Sequence, residues 1–197
     1  MSRFRTYLAV ALIGVAGGAS SPHSSYAQQL AEATHARGEI SLVVDLSDRE
    51  LHVLRGDEVV RSYSVAVGKP EHPTPAGEFS IRRVVWNPRW VPPDARWARG
   101  KRPRAPGDPR NPMGRVKIFF KEPDYYIHGT HEVDSLGQAE SHGCVRMRNS
   151  EVMDLATIVM DAGGENRSPG WFRRVINRVR HTQEVRLSHP VRVKIRE

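Results

Sequence analysis

From Ile40 onward, apolar and polar positions alternate in short runs. "ISLVVDL" (40–46), "ELHVL" (50–54) and "VVRSYSVAVG" (59–68) are rich in β-branched residues, which suit a pleated, half-buried surface. The polar stretches "SDR" (47–49) and "RGDE" (55–58) separate them as turns, so the three runs predict an antiparallel meander. The "RGD" at 55–57 reads as a tight turn, with glycine supplying the backbone angles, rather than as an adhesion tripeptide. "KPEHPTPAGEFSI" (69–81) is a proline and glycine turn entering another strand. "VKIFF" (116–120) and "YYIHG" (125–129) have the apolar density of central strands. "QEVRL" (183–187) and "VRVKI" (191–195) predict two closing strands around Pro190.

Helical periodicity is clearest in "NSEVMDLATIVMDAGG" (149–164), where Val152, Leu155, Ala156 and Val159 form a one-sided apolar stripe. Asn149 suits the N-cap and Gly163 or Gly164 the end. "GWFRRVINRV" (170–179) reads as a second, basic helix. Residues 86–115 follow neither period. They hold seven of the chain's 14 prolines, three of its four tryptophans, and eight Arg or Lys against two Asp. An irregular segment this long is usually a lid, a binding loop or disordered. Its tryptophans seek a packing surface, which predicts a structured flap.

The first residues have another character. Arg3 and Arg5 precede the apolar run "LAVALIGVA" (8–16), and "SYA" (25–27) offers small residues at a cleavage site before Gln28. This is the pattern of a secretory signal peptide over residues 1–27, followed by a polar lead-in over 28–37. A membrane anchor needs about 20 apolar residues, so no stable anchor is expected, and no cysteine stands at the cleavage site for lipidation. Cleavage would remove two arginines and lower the formal charge from +8 to +6. A basic exported chain favours an acidic polymer of the wall or an anionic membrane surface over nucleic acid. Its length of 197 residues suits one domain plus a tail.

Export makes the single cysteine informative. Cys144, in "ESHGCVRM" (140–147), has no internal disulfide partner, so it is either a reactive thiol, an intermolecular cross-link or a small apolar core residue. His128 and His131 in "IHGTH" (127–131), with His142, are close enough in sequence to join it. Zinc is one reading, but the usual paired-cysteine spacings are absent, and no metal or cofactor is expected. Thiol catalysis is the other. A histidine can take the proton of a thiol whose ordinary pKa is near 8.5, making a nucleophile for a carbonyl. Backbone N–H groups around Gly143 and Cys144 can receive the oxyanion, with glycine permitting close approach. The residues leave His128 and His142 open as the base. His35, His52, His72, His181 and His189 share no spacing with the pair and read as surface or core residues.

"IHGT", a gap containing "LG" (136–137), and "SHGCVRM" (141–147) leading into a helix together resemble the catalytic domain of the YkuD-type L,D-transpeptidases. "TPAGEF" (74–79), "NPRWVPP" (87–93), "NPMG" (111–114) and "HPVRVKI" (189–195) agree with it, so the similarity spans about residues 38–197. The resemblance implies a mainly β, α+β fold: a β-sandwich with one long helix after the cysteine motif and a long flap. It implies Cys144 as nucleophile and His128 as acid and base, oriented by the carbonyl of Gly129. The amides near His142, Gly143 and Cys144 would form the oxyanion hole, with Arg146 and Ser141 meeting substrate. Arg146 suits a structural ion pair equally well. The implied partners are peptidoglycan tetrapeptide stems and an amine acceptor, either a second stem or a wall-attached protein. Water as acceptor would make a carboxypeptidase or a linkage-cleaving hydrolase instead, and loss of catalysis a wall-binding protein.

Overall fold

The computed structural model describes residues 38–197. The signal peptide and lead-in expected over 1–37 lie outside the described residues. Ten strands form in chain order: β1 (Ile40–Asp45), β2 (Glu50–Arg55), β3 (Glu58–Ser64), β4 (Val67–Gly68), β5 (Gly77–Trp86), β6 (Val116–Lys121), β7 (Tyr125–Thr130), β8 (Ala139–Ser141), β9 (Val145–Arg148) and β10 (Gln183–Arg196). Two α-helices, α1 (Asn149–Ala162) and α2 (Pro169–Asn177), separate β9 from β10. Eight strands make one sheet in the order β3-β2-β1-β10-β5-β6-β7-β9, and β4 pairs with β8. The pairs β1·β10, β7·β9 and β4·β8 are parallel, and the rest are antiparallel.

The sheet's two ends are drawn together. Ala66, two residues past β3, exchanges backbone hydrogen bonds of 3.0 and 2.8 Å with Arg146 of β9. Both limbs therefore feed one core, in which Leu42, Leu51 and Val53 share a cluster with Ile118, Ile127 and Val145. Helix α1 adds Val152, Leu155, Ala156, Val159 and Met160 to that core, the stripe its periodicity predicts. The result is the expected mainly β fold with its long helix behind the cysteine segment.

Three local expectations change. The closing strands are one strand, β10, containing Pro190; its register against β5 shifts between Arg186 and Val191. Proline has no N–H for the ladder, and a bulge accommodates the lost bond without ending the strand. The run 59–68 instead breaks after Ser64, where Val65 and Ala66 turn to bond Arg49 and Arg146. Asn149 is the first helical residue and not the cap, because its amide has other partners. Its Oδ1 accepts from the Arg115 amide at 2.9 Å and its Nδ2 donates to the Thr130 carbonyl at 3.0 Å. That one side chain ties the start of α1 to the ends of β7 and the flap. Gly129 and Gly114 are glycines partly for this reason, since a Cβ on either would collide with Asn149 Oδ1.

Candidate active site

The side-chain alternation of β6, β7 and β9 divides their residues between two faces. Val116, Ile118, Phe120, Ile127, Val145 and Met147 point into the core. The other face carries the chemistry. Cross-strand register places Lys117 beside His128 and His128 beside Arg146, one row across three strands. Phe119 pairs with Tyr126 in the next row. Cys144 immediately precedes Val145, the partner of Ile127, and so stands at the end of that second row beside Tyr126.

Cys144 occupies a bend at 142–144 between β8 and β9. Gly143 makes the bend possible: its φ is +103°, and a Cβ there would lie 3.0 Å from the Tyr125 ring and 3.4 Å from the Pro73 carbonyl. Fully buried Ser141 braces the bend, accepting from the Gly143 amide at 3.0 Å while its hydroxyl donates to the Cys144 carbonyl. Two expectations need correction. Ser141 touches the cavity, but its hydroxyl is spent in both directions within the bend and is not offered to substrate. The Gly143 amide is likewise engaged, so the oxyanion donors in this stretch reduce to the amides of His142 and Cys144.

His128 is only 3% exposed, and its Nδ1 pairs with the Gly129 carbonyl at 2.7 Å. A carbonyl can only accept, so Nδ1 carries the hydrogen and Nε2 the lone pair. Burial pushes the His128 pKa down to about 3; Gly129 opposes this, and the cations of Arg146 and Lys117 reinforce it. Burial also pushes the Cys144 thiol up to about 11, against the pull of the Tyr126 amide and hydroxyl and the Lys117 ammonium. At neutral pH both groups are therefore uncharged. The thiol donates to the Asp124 carbonyl at 3.4 Å. Burial holds the Lys117 ammonium down to about 8, partly offset by Cys144. Arg146 is paired with Glu132 at 2.7 Å, yet its side chain still reaches the cavity wall.

His128 and Cys144 open onto one cavity of about 600 Å³, also lined by Tyr126, His142 and Arg146. This is ample for a peptide segment. The flap forms its far wall through Trp90, Asp94, Trp97 and Lys101. Trp97 stacks on the His142 ring, centroids 4.0 Å apart and planes 19° apart, and Lys101 Nζ sits 5.0 Å from the Trp97 ring. The flap is held in shape by Asn111, which donates to the Pro88 and Ala105 carbonyls, and by the paired Trp90 and Arg104 backbones. Of the flap's cations, Lys101 is the one lining the cavity. Exposed His131 is not among the lining residues, whereas His72 comes within 5.2 Å of His142, against the expectation that it is unrelated. Among the described residues no three His, Cys, Asp or Glu side chains converge as metal ligands.

The family described as the L,D-transpeptidase catalytic domain matches residues 39–182. The chain belongs to that family. A putative L,D-transpeptidase YkuD of Bacillus licheniformis is 36% identical over 118 residues, covering 60% of this chain and 59% of that protein. A putative L,D-transpeptidase YqjB of Bacillus subtilis is 37% identical over 123 residues, 60% of this chain and 65% of its own length. The chain thus spans about three fifths of these curated relatives. The NMR structure of the catalytic domain from the E. faecium L,D-transpeptidase superposes with a TM-score of 0.52 at 16% identity, over 81% of this chain and 98% of that one. That likeness concerns the fold.

Within this transpeptidase-family site, sequence reasoning overlooked Lys117 and Tyr126. A signal was present. A lysine interrupting the apolar run "VKIFF" and a tyrosine two residues before His128 both fall, by strand alternation, on the histidine's face.

Proposed function

We propose that this chain is an exported cysteine acyltransferase of peptidoglycan stem peptides. The observation that carries the reading is the pairing, in one cavity, of a lone thiol on a glycine bend with a buried neutral imidazole whose Nδ1–H is held by the Gly129 carbonyl. Membership of the L,D-transpeptidase family supports the substrate class. Export rests on the leader pattern of residues 1–27.

In the first half-reaction, Cys144 Sγ attacks the carbonyl carbon of the third stem residue and its proton passes to His128 Nε2. The amides of His142 and Cys144 face the resulting oxyanion. Collapse breaks the C–N bond, and His128 returns the proton to the departing amine of D-alanine, leaving a thioester. In the second half, an acceptor amine attacks the thioester, gives its proton to His128, and the C–S bond breaks with the thiol re-protonated. The flap and its Trp97–His142 stack limit water, the competing acceptor. Arg146 and Lys101 supply cations for stem carboxylates.

Incubating the leader-free protein with disaccharide tetrapeptides and identifying products by mass spectrometry tests this reading. Cross-linked dimers with released D-alanine are expected. Tripeptides without dimers would convert it to a hydrolase on the same thiol. Unchanged substrate in the presence of a reduced thiol would overturn it.

A further inference from the structure

Lysine is rarely buried without an acidic partner, because its ammonium loses hydration that nothing replaces. Lys117 is half-buried on the site face of β6, and among the described residues no carboxylate lies within ion-pair distance of it. Its row-mate Arg146, by contrast, is paired with Glu132, and Arg83 of β5 is paired with Glu122 and Glu184. The Lys117 side chain leans out of its own row: Nζ lies 4.4 Å from the centroid of the Tyr126 ring, in the row that ends at Cys144. The groups facing it are thus Arg83 from β5, Tyr126 and His128 from β7, and Cys144 from the bend, whose thiol also feels the cation of Arg146 from β9. Of these groups only the thiol must become an anion for nucleophilic attack; burial pushes it up to about 11 and holds the Tyr126 hydroxyl well above its ordinary value.

We infer that Lys117 is the charge partner of the Cys144 thiolate, a positioning residue that takes the part an imidazolium plays in other thiol enzymes. His128, set between two cations, is a poor place for a positive charge to rest. It accepts the Sγ proton and passes it on, while the Lys117 ammonium, protonated below about pH 8, stabilises the sulfur's developing negative charge across Tyr126. The inference rests on the proposed role of Cys144 as nucleophile, but its test uses no peptidoglycan.

The single cysteine makes the test clean. The rate of iodoacetamide alkylation is measured by intact mass between about pH 6 and pH 10 for wild type, Lys117→Met, Lys117→Gln and Lys117→Arg, each checked for fold by circular dichroism and thermal melting. The two neutral variants are expected to alkylate about tenfold more slowly at pH 7.5, displacing the acid side of the profile to more alkaline pH, with the gap closing above about pH 8 where Lys117 itself loses its proton, and Lys117→Arg to restore most of the rate. Profiles of folded Met or Gln variants that superimpose on wild type would overturn the inference, as would an arginine variant no faster than they are. A displaced profile in a protein that leaves muropeptides unchanged would refute the proposed function and leave this inference standing. Cross-linking activity with an unmoved profile would do the reverse.

Discussion

At the residue scale, the site is built from groups kept neutral by burial. His128 stays unprotonated in the folded chain down to about pH 3, whereas an unfolded histidine takes its proton near 6.5. Between those values the unfolded state binds more protons, so stability is fully present above about pH 6.5 and falls as pH drops toward 3. The slope is about 1.4 kcal/mol per pH unit, or roughly 2 kcal/mol between pH 7 and pH 5. His142, whose pKa is also lowered by burial, adds to the same trend, so the diagnostic comparison is with His128→Gln. Urea unfolding at both pH values is expected to show that variant losing most of the dependence. An equal loss of stability in both proteins would contradict the neutral-imidazole account. The thiol was legible in the sequence as the lone cysteine beside a glycine in "SHGC", but the residues left His128 and His142 open as its base, and the family resemblance rather than spacing singled out His128. The use of Ser141 was not legible, since whether a hydroxyl faces substrate or its own loop depends on a backbone turn that residue identity does not specify.

Among the elements, the junction of β7, α1 and the flap sets the site's geometry. Asn149 makes two backbone hydrogen bonds there that water cannot easily replace. Asn149→Ala should cost about 2 kcal/mol in denaturant unfolding and lower acylation by loosening the strand end that carries His128. A variant as stable as wild type would show that the junction is solvated. The flap acts at the same scale. Trp97→Ala removes the stack over His142 and should raise the ratio of hydrolysed to cross-linked product severalfold, read from muropeptide chromatograms; an unchanged ratio would mean the flap does not govern water entry. The strands, α1 and the flap were visible as period-2 runs, a 3.6-period stripe and the absence of either. The joining of two predicted strands into β10 was hidden, because Pro190 is a breaker in a regular ladder but is tolerated at a bulge.

For the whole molecule, a second group of cations lies outside the cavity that holds Cys144 and His128. Helix α2 packs Trp171, Phe172 and Val175 against the core and leaves Arg173, Arg174 and, just beyond it, Arg178 and Arg180 exposed. With a chain charge of +8, these arginines favour an anionic polymer. Binding to purified sacculi should weaken as salt rises from about 50 to 500 mM, and replacing the four arginines by glutamine should remove most of that dependence. Salt-insensitive binding would count against an electrostatic contact. The closure of the sheet through Ala66 and Arg146 lay beyond sequence reading, because pairing between distant strands is a property of the assembled fold.

Acyl transfer through Cys144 requires a covalent bond that can be weighed. Intact-mass measurement of the protein, quenched during turnover of a tetrapeptide stem, should show a species heavier by the substrate less D-alanine, mapped to the peptide containing Cys144 and absent from Cys144→Ala. Turnover with no such adduct, or an adduct that persists in Cys144→Ala, would contradict it.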